Sequence, residues 1–472
     1  MQYAADITDD QRPESAPARL LESLRQLLRA PLPQSPRLLR AAVPVAGLEP
    51  LLWLAAQPET TQYFWSDRRG SLEMAGVGEA DVLMPPDSGD ITTAFATMQA
   101  RLSADFPELR YYGGLRFQPR SEQASRWARF AGYRFVVPRF ELLARVDAAG
   151  ATSIEFACNL HWDDAQRPEE LLASLEAALT EIRMEAAPAM SVELPPVRDR
   201  KDLPSRPDWD RLVDRALADF KDGGLDKIVL ARETTFQADA PLDPVRLLWA
   251  LRQKTIRSYE FCFHPVADRA FIGASPERLF KREGTRLISE AVAGTRPRGD
   301  SDAVDAAYRA ELLASEKEQR EHRFVVQSLC DHLDRFCESV AAVPEPGIMR
   351  LNRIQHLYTP LEGVLHADVD DVALLQTLHP TPAVGGAPRE AALDWLRKHE
   401  PFDRGLYAAP VGWVAHNRAE FCVAIRSGLV EGSNLSVYSG AGIVPGSVAE
   451  DEWCEIENKV SNFLEALHHE PA

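Results

Sequence analysis

This sequence of 472 residues lacks the features that place a chain in a membrane or a secretory route. No apolar run approaches the roughly 18 residues that a membrane-spanning helix requires. The first stretch, MQYAADITDDQRPESAPARL, has neither a basic start nor an apolar core, so we expect no signal peptide. We therefore expect no membrane partner and predict a cytoplasmic protein.

Cysteine motifs are also missing. The six cysteines lie far apart and none forms a C-x-x-C pair, which argues against a zinc knuckle or a redox motif. Isolated cysteines are typical of proteins in a reducing cytosol. They are Cys158, Cys262, Cys330, Cys337, Cys422 and Cys454.

Basic residues are scarce relative to acidic ones. The chain has 53 Lys and Arg against 71 Asp and Glu, which leaves a formal net charge of −18. Such a surface repels nucleic acid phosphates, so we expect no nucleic acid partner. It also repels a small anionic substrate, so an enzyme for such a substrate needs local cations or a bound metal.

A dinucleotide fingerprint is absent as well. The glycines of GAGIVPG at 440–446 are spaced G-x-G-x-x-x-G, which misses the required spacing. The element that follows is acidic where a pyrophosphate would lie. We therefore expect no nucleotide there.

The composition is that of a globular chain, long enough for one large core or two ordinary ones. Residues 1–18 are polar and acidic, and we predict that they are disordered. Two parts follow, over 19–200 and 205–466. The proline- and charge-rich residues 194–209 are predicted to be the main linker or a long surface connection.

Hydrophobic spacing predicts the first elements on both sides of this linker. The predicted helices span 18–30, 168–184 and 208–224, the last ended by Gly223 and Gly224. The predicted strands span 50–57, 109–117, 133–146 and 227–236.

One predicted helix begins with a cluster of carboxylates, in YSGAGIVPGSVAEDEWCEIENKV at 438–460. Ser447 and Glu450 fit a capping box at its start. Glu452 and Glu455 are three residues apart and Lys459 is four beyond, so these three share one face. The local interpretation is a capped helix start with a supporting Glu–Lys pair. The opposite face is an apolar stripe that we expect to face the core: Trp453, Ile456, Val460, Phe463, Leu464 and Leu467.

A second predicted helix, ELLASEKEQREHRFVVQSLCDHL at 311–333, repeats the pattern with Glu318 and Glu321. Two such helices can meet around a hard cation, and Mg²⁺ takes few carboxylates, oxygen ligands and open positions for water and substrate. The structural alternatives are a capping box from Ser315 for Glu318 and an ordinary surface role for His322. The predicted apolar residues of this helix are Phe324, Val325, Leu329 and Leu333.

Two further residues carry chemistry in apolar surroundings. Lys227 lies inside the strand-like LDKIVLARE, where desolvation lowers a lysine's pKa and favours its action as a base. Glu277 follows Ser-Pro in FIGASPERLF, where a carboxylic acid would lie beside a pocket. The structural alternatives are an edge-strand lysine that discourages aggregation and a first-turn helix glutamate.

Together these stretches resemble the chorismate-utilising enzymes, the family of anthranilate synthase component I. The resemblance covers residues 205–466. It implies an α+β fold with large antiparallel sheets packed face to face, helices outside and an active site in the cleft between the sheets. Residues 19–200 would complete the same fold. The matching motifs are KIVLAR, FIGASPERL, AVAGTRPRG, SEKEQREH, RIQHLYTP, LHPTPAVGG, FCVAIRSG, YSGAGIV and EDEWCEIENK.

The resemblance implies a Mg²⁺ site shared by two helices. Glu321 and Glu455 match the metal ligands. Glu318 and Glu452 match outer carboxylates that reach the metal through water. Such a metal lets a negative cleft accept a dianion.

The resemblance also implies a chorismate pocket. Arg426 and Tyr407 match residues that bind the enolpyruvyl carboxylate, for which a guanidinium fork is well suited. Turn glycines, a salt-bridged arginine and core packing are the structural alternatives. The other matches are Lys459, Gly440, Ala441 and Gly442 near the ring and its carboxylate, Gly294 and Thr295 near the ring hydroxyl, and His356, Ala383 and Val384 lining the ring pocket.

Two positions distinguish the branches of this family. Anthranilate synthases carry glutamine where Lys227 stands, and aminodeoxychorismate synthases carry a nucleophilic lysine where this chain has Ala293. Lys227 with Ala293 is the combination of the water-using branch, which contains isochorismate synthases and salicylate synthases. The resemblance therefore implies reversible conversion of chorismate to isochorismate, with Lys227 as the base that activates water and Glu277 as the acid.

Two other functions stay open at this point. A salicylate synthase would also release pyruvate, and a non-catalytic family member would only bind divalent cations. The segment HPTPAVGG and the long N-terminal part are more similar to isochorismate synthases of menaquinone or siderophore pathways. No glutaminase subunit is implied, because water is the nucleophile, and the family includes monomers and dimers.

Overall fold

The computed structural model describes residues 11–33, 36–58, 61–85, 90–118, 126–163, 165–185, 193–352 and 354–467. Over these ranges the chain has the predicted α+β class. The helices are α1 (Ala16–Arg29), α2 (Pro50–Ala55), α3 (Ile91–Arg101), α4 (Pro168–Leu179), α5 (Arg206–Asp219), α6 (Pro244–Arg252), α7 (Asp302–Ala314), α8 (Glu316–Leu333), α9 (Asp371–Leu378), α10 (Arg389–His399) and α11 (Ala449–Leu467). The strands are β1 (Arg37–Val45), β2 (Gln62–Ser66), β3 (Leu72–Leu83), β4 (Arg110–Leu115), β5 (Tyr133–Val146), β6 (Thr152–Trp162), β7 (Val197–Leu203), β8 (Lys227–Ala238), β9 (Tyr259–Val266), β10 (Arg269–Ser275), β11 (Arg278–Glu283), β12 (Arg286–Pro297), β13 (Cys337–Ala342), β14 (Gly347–Arg350), β15 (Ile354–Leu365), β16 (Gly386–Ala387), β17 (Pro410–Ala415), β18 (Arg418–Val423), β19 (Ser427–Glu431) and β20 (Asn434–Ile443).

Hydrogen bonds join these strands into one continuous antiparallel sheet. Its first arm runs in the order β7, β8, β20, β19, β10, β9, β2, β3, β5. On the other edge of β5 the sheet divides, because β6 pairs with residues 140–146 and β4 pairs with 133–136. From β4 the second arm continues through β17, β18, β11, β12 and β15.

The two arms pack face to face, as predicted, and β5 joins them. Phe421 of β18 stacks on Phe95 of α3 and meets Phe135 of β5 edge to face. Deeper in the interface, the Tyr259 hydroxyl of β9 donates a 2.8 Å hydrogen bond to Glu420 of β18. A buried charge such as Glu420 requires partners of this kind, so the contact fixes how the arms are aligned.

Strands of the N-terminal part lie inside this sheet. β2 pairs with β9, and β4 pairs with β17, so the residues before 200 share their hydrogen bonds with the motif-bearing part. The predicted linker at 194–209 is wrong, because these residues form β7 and the start of α5. Its charges misled the prediction: β7 is an edge strand, where exposed charged residues are common.

The sequence predictions for the N-terminal elements have mixed outcomes. The predicted disorder is wrong for residues 11–18, because α1 begins at Ala16 with that side chain fully buried; residues 1–10 lie outside the described ranges. The predicted strand at 50–57 is also wrong. Pro50 starts α2, and the Glu49 carboxylate accepts a hydrogen bond from the Leu52 amide as its cap. The other predicted helices and strands before residue 236 are confirmed.

The predicted single helix at 311–333 is two helices. Ser315 lies between α7 and α8 in extended conformation, and its hydroxyl accepts a 3.4 Å hydrogen bond from the Glu318 amide. Ser315 therefore ends one helix and caps the next, while the Glu318 carboxylate bonds Arg296 instead of completing the capping box. Leu333 is buried as predicted, whereas Phe324 is 68% exposed.

The start of α11 also differs from the prediction. Ser447 does not cap it with Glu450. Its hydroxyl donates to Glu452 at 2.8 Å and accepts from the Val444 amide at 3.2 Å, while Glu450 pairs with Arg206. The predicted apolar stripe is confirmed, with Ile456, Val460, Phe463 and Leu467 buried. No helix in the described part of the chain is both long and apolar enough to cross a bilayer.

Candidate active site

Lys227 opens β8 and lies beside the glycine-rich strand β20. Its side chain is half-buried. A Cβ built at Gly442 would come within 2.9 Å of Lys227 Cε, so glycine at 442 leaves the space that the lysine occupies. The start of β8 is held on its other edge by β16, where Ala387 pairs with Lys227.

The charges around Lys227 come from two helices, α8 and α11, and from one strand turn. Burial lowers the pKa of Lys227, and the Lys459 ammonium on α11 lowers it further. Three carboxylates oppose this shift: Glu321 on α8, Glu455 on α11 and Glu277. The lowered pKa enlarges the neutral fraction, which is the form that accepts a proton. Because all four groups act on one ammonium, the structure brings these predicted residues to the same cleft.

Glu277 lies in the tight connection between β10 and β11, not in the first turn of a helix. Its amide donates to the Ser275 hydroxyl at 3.3 Å, and its carbonyl accepts from the Val423 amide at 3.0 Å. Burial raises the pKa of Glu277 to about 7, and the Glu290 carboxylate contributes to the rise against the lowering effects of Lys227 and Lys459. Glu277 therefore holds its proton to neutral pH, as a general acid requires.

Glu321 and Glu455 have exposed carboxylates, each beside a lysine one helical turn away. Glu455 lies 2.5 Å from Lys459 Nζ, and Glu321 lies 4.0 Å from Lys317 Nζ. The side chain of Glu455 is 51% exposed and that of Glu321 is 57% exposed. Both carboxylates act on Lys227 and are open to solvent, which suits ligands of an exchangeable cation.

Glu318 and Glu452 lie one turn before these two glutamates and already have protein partners. Arg296 donates to Glu318 at 2.9 Å, and the Ser447 hydroxyl donates to Glu452. Burial raises the pKa of Glu452, an effect that Ser447 counters. Carboxylates held in this way suit an outer position, in contact with a metal only through water.

The donor set fits Mg²⁺ in kind. Among the described residues no three His, Cys, Asp or Glu side chains meet as a preassembled metal cage. Mg²⁺ does not need one, because proteins commonly hold it by one or two carboxylates plus water and substrate oxygens. Glu321 and Glu455, which act on the same lysine from two helices, supply that number.

Arg426, Tyr407 and Lys459 gather around Gly440. Tyr407 Oη lies 3.0 Å from a Cβ built at Gly440, and Lys459 Nζ donates to the Gly440 carbonyl at 2.8 Å. Arg426 donates to the Lys459 carbonyl at 3.0 Å. Ala441, the next residue of β20, is fully buried and pairs with Leu230. The predicted carboxylate-binding residues therefore surround the close approach that glycine permits.

Arg426 has the marks of a functional residue rather than a surface arginine. Its backbone has a φ of 53°, a left-handed conformation that is uncommon for a residue with a side chain. Burial lowers the pKa of Arg426, which Tyr407 and Glu455 oppose. Burial also raises the pKa of Tyr407, so its hydroxyl stays protonated and able to donate. A buried guanidinium with few anionic neighbours is suited to a carboxylate ligand.

Gly294, Thr295 and His356 form one cluster on the β12–β15 pair. The β-bulge at Gly294 has a φ of 76°, and His356 Nδ1 lies 3.0 Å from the Thr295 hydroxyl and 3.2 Å from the Gly294 carbonyl. Burial lowers the pKa of His356 to about 4, and Arg426 and Lys459 lower it as well. A Cβ at Gly294 would lie 3.0 Å from Glu318 Oε2, which links this cluster to α8.

Of the two predicted residues Ala383 and Val384, the structure ties Val384 to the site, through its backbone carbonyl. Val384 is buried and its carbonyl accepts from Arg404 at 2.8 Å, while Arg404 also donates to the Val229 carbonyl of β8 at 2.7 Å. Ala383 is exposed on the turn before it. The structure brings Val384 to the strand that carries Lys227 but does not tie Ala383 to the cleft.

Sequence reasoning missed the residues that bond the backbone on either side of Glu277. Arg68 forms a two-pronged ion pair with Glu290, and both contact the chain on either side of Glu277. Arg68 lies in an ordinary polar turn, where its sequence carries no signal. Glu290 does carry a sequence signal. It shares a strand face with Ile288 and Val292, and a charged residue on such a face needs a partner.

Three similarities identify the family of this chain. A family model described as chorismate binding enzyme matches residues 24–468. Isochorismate synthase 2 of Arabidopsis thaliana, a chloroplastic protein, is 35% identical over 98% of this chain and 86% of its own length. The salicylate biosynthesis isochorismate synthase of Pseudomonas aeruginosa is 32% identical over 87% of this chain and 83% of its own length.

A solved structure shows the same architecture. MenF, the menaquinone-specific isochorismate synthase from Escherichia coli, matches with a TM-score of 0.84 and 28% identity, covering 95% of this chain and 99% of that one. The match extends through the N-terminal part as well as the motif-bearing part, which confirms the fold expected from the motifs. The chain belongs to the family of chorismate binding enzymes.

Proposed function

We propose that this protein is an isochorismate synthase, which converts chorismate to isochorismate reversibly. The observation that carries the proposal is the pairing of Lys227 and Glu277 in one cleft with pKa values moved in opposite directions, the base downward and the acid upward to about 7. Enzymes tune a general base and a general acid in this way, because both pKa values then move toward the operating pH. The names of the two relatives and of the solved structure support the same reaction.

The proposed step exchanges one hydroxyl for another on the ring. Neutral Lys227 takes a proton from a water molecule, whose oxygen bonds to C2 as the ring double bonds shift. The bond from C4 to its hydroxyl breaks, and Glu277 gives that leaving group its proton to form water. Lys227 ends protonated and Glu277 ionised, and a proton returned through solvent resets both. The bonds formed and broken are nearly equivalent, which makes the reaction reversible.

Chorismate is a dianion, and the cleft provides different groups for its two carboxylates. We assign the enolpyruvyl carboxylate to Arg426 and Tyr407, and the ring pocket to the Gly294, Thr295 and His356 cluster. The remaining assignments to the ring pocket are Gly440, Ala441, Gly442, Ala383, Val384 and Lys459. The ring carboxylate would lie at a Mg²⁺ held by Glu321 and Glu455, with Glu318 and Glu452 outside. When bound, the metal would neutralise charge that otherwise repels the substrate.

Product analysis in labelled water tests the proposal. The purified protein is incubated with chorismate and Mg²⁺ in H₂¹⁸O, and the products are separated and weighed by mass spectrometry. We expect isochorismate that carries ¹⁸O at C2. Salicylate and pyruvate without accumulating isochorismate would instead place the protein in the salicylate synthase branch. Mg²⁺ binding without chorismate consumption would indicate a non-catalytic family member.

We further propose that the product enters menaquinone biosynthesis or siderophore and salicylate biosynthesis. The names of the two bacterial proteins mention menaquinone and salicylate for those proteins. We expect a cytoplasmic enzyme that is a monomer or a dimer. Because its nucleophile is water, we also expect it to act without a glutaminase subunit. Turnover of chorismate by the purified chain alone, without added ammonia, checks the second expectation.

A further inference from the structure

The chain around Glu277 is held at every backbone polar group. The peptide before Glu277 has its carbonyl, from Pro276, bonded by Arg68 Nη1 at 2.9 Å. The peptide after it has its amide, from Arg278, bonded to Glu290 Oε1 at 3.1 Å. Ser275 and Val423 take the remaining two groups. Glu277 therefore has little freedom to shift relative to the cleft.

Arg68 and Glu290 are themselves joined. Arg68 Nη1 and Nη2 lie 2.5 and 2.7 Å from the two Glu290 oxygens, a two-pronged geometry that fixes orientation as well as distance. The Glu290 side chain is fully buried and that of Arg68 is 10% exposed. The pair thus bridges the two peptides that adjoin Glu277, one partner on each.

The turn that carries Arg68 is held in place by the side chain of Asp67. Asp67 Oδ1 accepts hydrogen bonds from the Arg69 amide at 3.0 Å and the Ser71 amide at 2.8 Å, which fixes the connection from β2 to β3. The Arg68 guanidinium lies about equally near the rings of Tyr259 and Tyr358, 5.9 and 6.0 Å from their centroids. These contacts hold a residue of the N-terminal part against the site.

We propose that Arg68 and Glu290 are positioning residues for the acid, with Arg68 fixing the peptide before Glu277 and Glu290 fixing the peptide after it and placing a negative charge beside it. This inference rests on the proposed function, which makes Glu277 the proton donor. Both bond the chain beside Glu277 rather than a side chain that we assign to chorismate, so we expect both to act through Glu277.

The charge of Glu290 acts in a defined electrostatic setting. The groups that face Glu277 are Glu290 from β12, Lys227 from β8 and Lys459 from α11. Burial raises the pKa of Tyr407 and of Cys422 on β18, and the Glu277 carboxylate adds a smaller rise to each. Glu290 is the one carboxylate in this set, so its loss leaves only cations acting on Glu277. The pKa of Glu277 should then fall.

Two variants separate charge from position. Glu290→Gln keeps the shape but removes the charge, so we expect the alkaline limb of the kcat–pH profile to move about one unit lower. Arg68→Lys keeps the charge but loses the fork, so we expect kcat to fall about tenfold with the limb unmoved. KM for chorismate should change less than about twofold in both, since neither residue holds substrate.

Asp371→Asn is the matched control. Asp371 forms an equally buried two-pronged pair with Arg282, at 2.6 and 2.7 Å, away from Glu277. It should lose stability as Glu290→Gln does without moving the limb. An unmoved limb in Glu290→Gln, or Arg68→Lys with normal kcat per folded molecule, would overturn the proposal. Glu277→Gln, measured alongside, distinguishes the two levels: if it retains turnover, the assignment of Glu277 as the acid in the proposed function fails, whereas its inactivity with an unmoved Glu290→Gln limb defeats the positioning role alone.

Discussion

Glu277 and Glu455 act on the same lysine from opposite surroundings. Glu455 lies on the open face of α11, half in solvent, with Lys459 beside it at 2.5 Å. Glu277 lies in a strand turn between the sheet arms, where burial and the nearby Glu290 raise its pKa to about 7. The two glutamates have identical side chains, so the difference in their chemistry comes entirely from where the fold places them.

This difference separates two functions that one residue type can serve. An exposed carboxylate keeps its charge at low cost and can exchange a lysine for a metal ion. A buried one keeps its proton and can give it away. The exposed carboxylate lies on a helix face, and the buried one lies in the tight connection between β10 and β11. The comparison predicts how substitutions at the two positions should differ.

The largest expected effect is at the proton-transfer pair. Glu277→Gln or Lys227→Ala should lower kcat by about 10²–10⁴-fold, the range for loss of a general acid or base. Initial rates of chorismate consumption at saturating Mg²⁺ measure this. A variant of either kind with full activity would contradict its assigned role.

Stability provides the control for Glu277→Gln. The folded protein holds the Glu277 proton to about pH 7, whereas an unfolded glutamate loses it near 4.5. Folding stability therefore falls as the pH rises from 4.5 to 7, because the unfolded chain releases the proton first. Glutamine cannot ionise, so the inactive variant should have a higher Tm than the wild type at pH 8. A lower Tm would mean that the activity loss reports damage to the fold.

The two proposed Mg²⁺ ligands should give a different result. Glu455→Gln and Glu321→Gln should raise the Mg²⁺ concentration needed for half-maximal rate by about 10–100-fold, with much of kcat restored at high Mg²⁺. Titrating activity with Mg²⁺ after removal of metal by EDTA measures this. Glu450→Gln is the matched control on the same helix, since Glu450 pairs with Arg206 instead of facing the cleft. Equal Mg²⁺ dependence in all three variants would exclude the proposed ligands.

A smaller effect should follow from crowding the base. In Gly442→Ala the new methyl group would meet Lys227 Cε at 2.9 Å, and the flexible lysine should move away. We expect kcat to fall about tenfold through misplacement of the base, with Tm nearly unchanged. Gly224→Ala, where an added Cβ meets open space, is the control. Equal kcat in the two variants would show that Lys227 tolerates displacement.

The sequence predicted the parts of the site that lie within single elements. Glu452, Glu455 and Lys459 share a helix face because helical spacing places them there. Local patterns failed where a residue's role depends on a distant partner. Phe324 has helical spacing for burial but is exposed, and Ser447 bonds Glu452 rather than capping the helix. No local pattern connects the turn after β2 with a residue of β12.

The same limit applies to the two parts of the chain. All nine family motifs lie after residue 205, so the sequence assigned the site to that part alone. The sheet contains strands from both parts of the chain, because β2 of the N-terminal part lies between β3 and β9. A turn leaving β2 therefore reaches the region behind Glu277. Motif searches find residues that touch substrate, whereas supports such as Arg68 become visible only from the strand order.

The smallest expected effect distinguishes the two lysines beside the exposed glutamates. Lys317 lies 4.0 Å from Glu321 and is 76% exposed, whereas Lys459 lies 2.5 Å from Glu455 and also bonds Gly440. Lys317→Ala should change the unfolding free energy by less than about 1 kcal/mol, as exposed pairs do. It should also leave Mg²⁺ dependence within about twofold of the wild type, slightly tighter because a competing cation is gone. Arg167→Ala, which removes an exposed pair with Glu170, controls for stability alone. A large loss of activity in Lys317→Ala would mean that Glu321 needs its lysine, and the two glutamates would then differ more than their exposure suggests.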